Sequence, residues 1–302
     1  MREIPHHLYP FEHHYLLLDG LRYHYLDEGA GEPVVMLHGN PTWSIYYRNL
    51  VTSLQGTHRC VVPDHIGCGY SDKPGDDRYP YTLSRRVDDL AHLIDHLGLE
   101  TIDLVVHDWG GMIGMTWAVR NPERVKRIVL LNTSAFHLPA TKPLPWQLWL
   151  TRTFVGALMV RGGNAFSAAA TYAACTRTPM SRELRRAYTA PYDSWDNRIA
   201  TLRFVQDIPL RPGDPGYDLV TEVAESLHRL RGKPTLIGWG DRDFVFDHHF
   251  LAQWRHYLPD AEVHRFADCG HYVLEDAWAE LEPLIQRHLS EPAPAPGPVP
   301  QP

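Results

Sequence analysis

Two hydrophobic rhythms alternate along the first 132 residues, break off, and resume after residue 230. Tyr15 to Leu18 and Leu21 to Leu26 read as two strands about Asp19-Gly20, a dipeptide whose tolerance of positive φ suits a tight hairpin. Pro33 to Leu37, Arg59 to Pro63, Thr101 to Val106 and Arg127 to Leu131 are short apolar runs, the pattern of strands buried on both faces. Thr82 to Leu97 instead spaces Leu83, Val87, Leu90, Leu93, Ile94 and Leu97 as one helical face and stops at Gly98. The small residues of Gly110-Gly111-Met112-Ile113-Gly114-Met115 predict a helix that starts close against a sheet. Pro234 to Trp239 and Glu262 to Phe266 add strands, and a last helix follows Tyr272. Strands alternating with helices predict an α/β fold with a mostly parallel sheet covered on both faces.

Between these stretches the strand rhythm is missing. Residues 133–230 are rich in Trp, Tyr and Arg and punctuated by Pro139, Pro143, Pro145, Pro179, Pro191, Pro209, Pro212 and Pro215. They predict a helical cap inserted between two parts of one core, 1–132 and 231–290. Its most apolar part runs from Leu144 to Val160, with Trp146, Trp149, Phe154, Leu158 and Met159. That run either lines a long apolar slot or lies against a membrane surface; plain packing on the core is the expectation preferred to a membrane role. Residues 291–302 carry six prolines and no core-forming residue, so an extended, disordered tail is expected. A frayed end is favoured there over a tether to a partner.

Composition narrows the function classes. A net charge of −7 disfavours nucleic acid, which selects a basic face. No segment approaches the ~18 uninterrupted apolar residues of a membrane span, and the N-terminal residues lack a basic-then-apolar leader pattern. The chain is therefore expected to be soluble and cytoplasmic. Cys60, Cys68, Cys175 and Cys269 have no paired spacing, and His6-His7, His13-His14 and His248-His249 are adjacent rather than four apart on a helix. Neither a metal nor any other cofactor is expected.

The chemistry concentrates at Val105-Val106-His107-Asp108-Trp109-Gly110-Gly111. A strand turning sharply into a helix exposes its apical side chain beside backbone N–H groups. Serine in that place performs acyl transfer, whereas a carboxylate suits attack on an electrophilic carbon with formation of an ester on the enzyme. The alternative is an Asp108 that only caps its helix. Asp268-Cys269-Gly270-His271 follows the final strand, where a loop carries His271 toward the nucleophile as its base. Gly238-Trp239-Gly240-Asp241-Arg242-Asp243 supplies the acid that orients the base. Asp243 is preferred, since Asp241 has simpler uses in pairing with Arg242 or capping the turn. His38-Gly39-Asn40-Pro41 faces the nucleophile and, with Trp109, provides backbone N–H groups for an anion; the Asn40 amide and the Trp109 indole add side-chain donors able to hold a leaving group. Asn40 as a turn former and Trp109 as pocket wall are the plainer uses.

Three segments carry a family resemblance: Val35 to Ser44 around His38-Gly39-Asn40-Pro41, Pro63-Asp64-His65-Ile66-Gly67-Cys68-Gly69-Tyr70-Ser71-Asp72-Lys73-Pro74, and the Asp108 segment. They resemble the haloalkane dehalogenases of the α/β-hydrolase superfamily, as does Ala190 to Leu202, and the likeness spans Phe11 to Leu289. Leu21 to Gly29, Trp109 to Met115 and Leu202 to Asp214 are most similar to the dehalogenase-like decarboxylases of long-chain olefin biosynthesis. That resemblance implies the α/β-hydrolase fold and conversion of a cis-3,4-dialkyl β-lactone into a cis-alkene and carbon dioxide. It implies Asp108 as nucleophile, His271 and Asp243 as its partners, Asn40 and Trp109 as anion donors, and a hydrophobic long-chain substrate. It also implies an assembly with the β-lactone synthetase and other pathway enzymes. Haloalkane hydrolysis is the alternative, in which His271 activates water against an alkyl ester. An epoxide hydrolase would need cap tyrosines from among Tyr172, Tyr188, Tyr192 and Tyr217. A non-catalytic binding module is a further alternative that the intact Asp108, Asp243 and His271 oppose.

Overall fold

The computed structural model describes residues 3–143 and 146–291; Leu144, Pro145, the Trp146 and Gln147 side chains and the proline-rich stretch from residue 292 lie outside the described residues. Eight strands form one sheet: β1 (His14–Leu18), β2 (Leu21–Glu28), β3 (Glu32–Leu37), β4 (His58–Pro63), β5 (Ile102–Asp108), β6 (Val125–Thr133), β7 (Thr235–Gly240) and β8 (Glu262–Phe266). Their spatial order is β1-β2-β4-β3-β5-β6-β7-β8. The β1–β2 hairpin turns at Asp19 and Gly20, both at positive φ, and β2 also pairs antiparallel with β4. Every later pairing is parallel. The α/β fold and each strand read from the sequence are present, with the ends moved by one or two residues.

Helices α1 (Arg48–Leu54), α2 (Leu83–His96) and α3 (Trp109–Arg120) cross between the early strands. Thr82 caps α2 by accepting the Arg85 N–H, and Gly98 ends it at φ +63°. Between β6 and β7 the chain is helical: α4 (Trp146–Leu150), α5 (Phe154–Ala157) running into a π turn (Leu158–Gly162), α6 (Ala165–Ala173), α7 (Arg182–Thr189), α8 (Ile199–Gln206) and α9 (Tyr217–Ser226). Then α10 (His248–Tyr257) joins β7 to β8, and α11 (Val273–Asp276) and α12 (Trp278–Ser290) close the chain.

β5 lies at the centre with all seven residues buried, flanked by β3 and β6. A parallel sheet directs the carboxyl ends of β3, β5, β6, β7 and β8 to one edge, where open α/β sheets place their ligands. Helix α3 can approach this edge because its second and third residues, Gly110 and Gly111, lack side chains. A Cβ on Gly110 would lie 1.9 Å from the Leu37 carbonyl oxygen, and one on Gly111 would lie 1.8 Å from Thr133 Oγ1. Among the described residues no helix is long and apolar enough to cross a membrane.

Candidate active site

Asp108 is the last residue of β5 and precedes the first of α3, at φ +51° and ψ −126°. A non-glycine residue there carries strain that surrounding contacts must hold in place. Thr133 supplies one, donating to the Asp108 carbonyl at 2.5 Å. The capping alternative fails: Asp108 holds the N-cap position but its side chain makes no cap hydrogen bond. Its Oδ1 instead accepts the Asn40 backbone N–H at 2.5 Å, and the Trp109 backbone N–H also stabilises the carboxylate. The loop presses this close because residue 39 is glycine; a Cβ there would meet Asp108 Oδ1 at 2.0 Å.

The expected Asn40 backbone donor therefore holds Oδ1 of Asp108 itself, while Oδ2 faces His271. His271 Nε2 lies 3.6 Å from Oδ2. His271 in turn donates from Nδ1 to Asp243 Oδ2 at 2.8 Å. Sequence reading thus named three residues that the fold assembles from the ends of β5, β7 and β8, each at most 6% exposed. Burial alone would push the Asp108 carboxyl up, and it stays raised although His271 and the two backbone N–H groups pull it down. For His271 burial pushes the imidazole down, but attraction to Asp243, their hydrogen bond and the Asp108 charge outweigh it and leave it raised. Asp241 pairs with Arg265 at 3.0 Å rather than with Arg242, which corrects the simpler use considered for it.

The side-chain donors are less free than the sequence suggested. Asn40 Nδ2 donates to the Thr201 carbonyl at 3.0 Å, which ties the β3 loop to α8 and leaves one N–H of that amide unspent. Its Oδ1 is buried without a partner. The Trp109 ring packs on Phe204 at 5.3 Å, and the buried Arg86 guanidinium sits 3.8 Å over Phe204 and 5.7 Å from Trp109. Asp207, the acid at 3.2 Å from Arg86, is pushed up to about 6 by burial.

Sequence reading missed three positioning groups. Asn132, at φ +35° beside the end of β6, donates to Asp243 Oδ2 and to the Gly240 carbonyl, both at 3.0 Å, and accepts the Gly240 N–H at 2.8 Å. An asparagine ending a buried strand was the available signal, since this residue type tolerates left-handed backbone. His107 donates from Nε2 to the His271 carbonyl at 2.9 Å. Asp276 accepts the backbone N–H groups of Gly270, Thr176, Arg177 and Thr178, and the Tyr272 N–H reaches the Ala174 carbonyl at 2.9 Å, so the His271 loop is tied to the end of α6.

Of the tyrosines an epoxide hydrolase would need, two have their hydroxyls committed elsewhere and the others stack or stand in solvent. Tyr188 donates to Glu275 at 2.5 Å, Tyr192 donates to the Thr42 carbonyl at 3.2 Å, Tyr217 stacks on His137 at 4.1 Å, and Tyr172 is 71% exposed. One other cluster, Asp247-His248-His249, brings three ligand atoms within 4.8 Å, but Asp247 is the partner of Lys142 and the N-cap of α10.

A strand–elbow–helix with a carboxylate at its apex, a histidine held by a second acid, and a sheet of this order define a hydrolase-fold enzyme whose nucleophile position carries Asp. The profile described as alpha/beta hydrolase fold matches residues 32–277, and the chain belongs to that family. It is 60% identical over 286 residues, 94% of this chain and 90% of the other, to the cis-3-alkyl-4-alkyloxetan-2-one decarboxylase of Shewanella oneidensis. It is 51% identical over 279 residues, 89% of this chain and 93% of the other, to the protein of the same name from Xanthomonas campestris pv. campestris. Among solved structures, a point variant of the haloalkane dehalogenase DatA from Agrobacterium tumefaciens C58 superimposes with a TM-score of 0.83 at 26% identity, covering 93% of this chain and 97% of that one.

Proposed function

We propose that this protein is a β-lactone decarboxylase that converts a cis-3,4-dialkyl-oxetan-2-one into a cis-alkene and carbon dioxide. The observation that carries the reading is the 60% identity over 94% of the chain to a decarboxylase of that name. In the same reading residues 133–230 form the cap, Asp108 is the nucleophile, Asp243 orients His271, and Asn40 with Trp109 holds the departing anion.

The steps balance without a proton. Asp108 Oδ2 forms a bond to the ring β-carbon with inversion as the ring C–O bond breaks and frees the ring carboxylate. The bond from the α-carbon to that carboxylate then breaks, its electrons form the alkene, and the ester bond to Asp108 breaks. Carbon dioxide leaves and the Asp108 carboxylate is restored. Inversion followed by anti elimination is net syn loss, so a cis ring gives a cis alkene. Attack at the lactone carbonyl, through an anhydride, is the competing path. Because no proton moves, His271 acts as an electrostatic neighbour of Oδ2, 3.6 Å away, rather than as a base. Water at the ester would divert it to a hydroxy acid, so the cap must exclude water. A cytoplasmic location and hand-over of the lactone from a β-lactone synthetase in an assembly belong to the same proposal, supported by a substrate too apolar to diffuse freely in water.

The test offers the purified protein a cis-3,4-dialkyl β-lactone and, separately, a bromoalkane. Alkene from the first with no bromide from the second supports decarboxylation. Bromide release without alkene overturns it in favour of haloalkane hydrolysis, the activity named for the structural neighbour.

A further inference from the structure

The helical run from Phe154 to Gly162 turns its apolar side outward. Phe154 is 81% exposed, Val155 57%, Leu158 49% and Met159 49%. Positions 154 and 158, and 155 and 159, are four apart, so the four side chains share one helical face. The opposite face carries the buried Gly156 and Val160. Trp195, also exposed, extends the face: a Cβ on Gly162 would touch both Leu158 and Trp195. The packing on the core expected for this stretch therefore does not account for its most apolar side chains, and contiguous exposed apolar groups of this kind mark an interaction site.

The surrounding charge says what covers them. The chain carries −7 overall, yet residues 146–190 contain six arginines and one glutamate, a local net charge of +5. Arg152, Arg161 and Arg177 are paired with acids from other segments. On α7, Arg182, Arg185 and Arg186 have no acidic partner among the described residues. Arg185 lies 4.5 Å over the exposed Tyr172 ring of α6, the helix that packs against both α7 and the π turn. An outward apolar face, with the α7 arginines one helix away across α6, matches an anionic lipid surface, where apolar groups enter the acyl boundary and arginines meet phosphates.

We infer that this face docks the protein on an anionic bilayer. For substrate delivery the inference rests on the lactone reading: dialkyl lactone and alkene both partition into lipid. The face is mechanically joined to the site, because the last carbonyl of the α6 turn, Ala174, accepts the Tyr272 N–H next to His271. Docking then places the protein where the substrate is dissolved.

Flotation of the full chain with vesicles of phosphatidylglycerol and phosphatidylcholine, against vesicles of phosphatidylcholine alone, tests this. Binding to the anionic vesicles is expected, weakened by salt and reduced about tenfold or more in Phe154→Glu/Leu158→Glu. The same variant should turn over a short-chain, water-soluble cis-lactone at the wild-type rate, which shows that it is folded. Absence of anionic vesicle binding by the wild type overturns the inference, as does undiminished binding by the variant. So does a wild-type oligomer, or a complex with the lactone-forming enzyme, that the double variant alone disrupts, since the face would then belong to a protein. Vesicle binding by a protein that makes no alkene would leave docking intact and defeat only the lactone reading.

Discussion

At the carboxyl edge of the sheet, Asp108, Asp243 and His271 are buried and each is held by identifiable donors or acceptors; in the helices from 154 to 190, Phe154, Leu158 and Tyr172 stand in solvent, Tyr172 beside Arg185, which has no acidic partner among the described residues. Buried charge is tolerated only where partners replace water, and those partners also fix position, so the edge is the rigid part. The helical stretch has little such accounting to satisfy. Arg182, Arg185 and Arg186 have no acidic partner among the described residues, and the apolar face remains uncovered. On the proposed function, the contrast separates two tasks: bond making, which needs atoms held to fractions of an ångström, and handling of an apolar substrate, which needs surface.

The sharpest way to break this division is to remove the carboxylate. Asp108→Ala is expected to lower alkene formation roughly ten-thousandfold or more, as loss of a covalent nucleophile does elsewhere, with anionic vesicle binding unchanged. Gas chromatography of the alkene and flotation measure the two halves separately, and residual turnover near the wild-type rate would remove the basis of the proposed mechanism. A second comparison uses glycine. Gly110→Ala puts a methyl group 1.9 Å from a backbone carbonyl that cannot swing aside, and should destabilise the fold by about 3 kcal/mol in urea unfolding. Gly162→Ala in the helical stretch meets only the far ends of Leu158, at 3.3 Å, and Trp195, at 3.6 Å, so its effect should stay within about 0.5 kcal/mol. Equal effects would mean that the two regions are packed alike.

The sequence made the edge far more legible than the helices. Strand runs, the glycines after Asp108 and the order Asp108, Asp243, His271 are local signals: each follows from what a parallel strand or a tight elbow demands of its own residues. Asn132 was missed because its role joins β6 to the loop after β7, more than a hundred positions away, and no periodicity encodes such a pair. Asp276 is the same case, an ordinary helical acid until the fold brings four backbone N–H groups to it. The face of Phe154, Val155, Leu158 and Met159 illustrates a different limit. Helical spacing shows that four apolar side chains share a face but not whether that face turns inward, and here the small Gly156 side is the one that packs.

Asn132→Ala probes the long-range part of the edge. It removes a donor to the Asp243 carboxylate while leaving the hydrogen bond from His271 available. Loss of a hydrogen bond to a charged group is worth about 1.5–3 kcal/mol, so kcat should fall roughly ten- to a hundredfold with KM little changed. If Asn132 served the fold alone, kcat of the folded fraction would stay at the wild-type value.

The smallest effect is expected in pH dependence, and it separates the two regions by sign. The fold raises the pKa of His271, because Asp243 and Asp108 outweigh burial, so the protonated imidazole is favoured in the native state. Its contribution to stability is complete below the pKa of an unfolded imidazole, near 6.5, and is lost as pH rises through the folded value. Asp108 acts in the same direction for another reason: burial raises its pKa, and the cost of its buried charge enters as pH rises through that raised value. Asp243→Asn takes away the largest attraction on His271, so an NMR titration should find the imidazole pKa lowered, and the decline in stability as pH rises above 6.5 should flatten. The docking face relies on guanidinium groups, a charge type that does not change near neutral pH. Vesicle binding should therefore be level over the same range in both wild type and variant. A binding curve that followed the His271 titration would show instead that the loop carrying it and the end of α6, joined through Tyr272 and Ala174, move as one unit, and the two regions would no longer be independent.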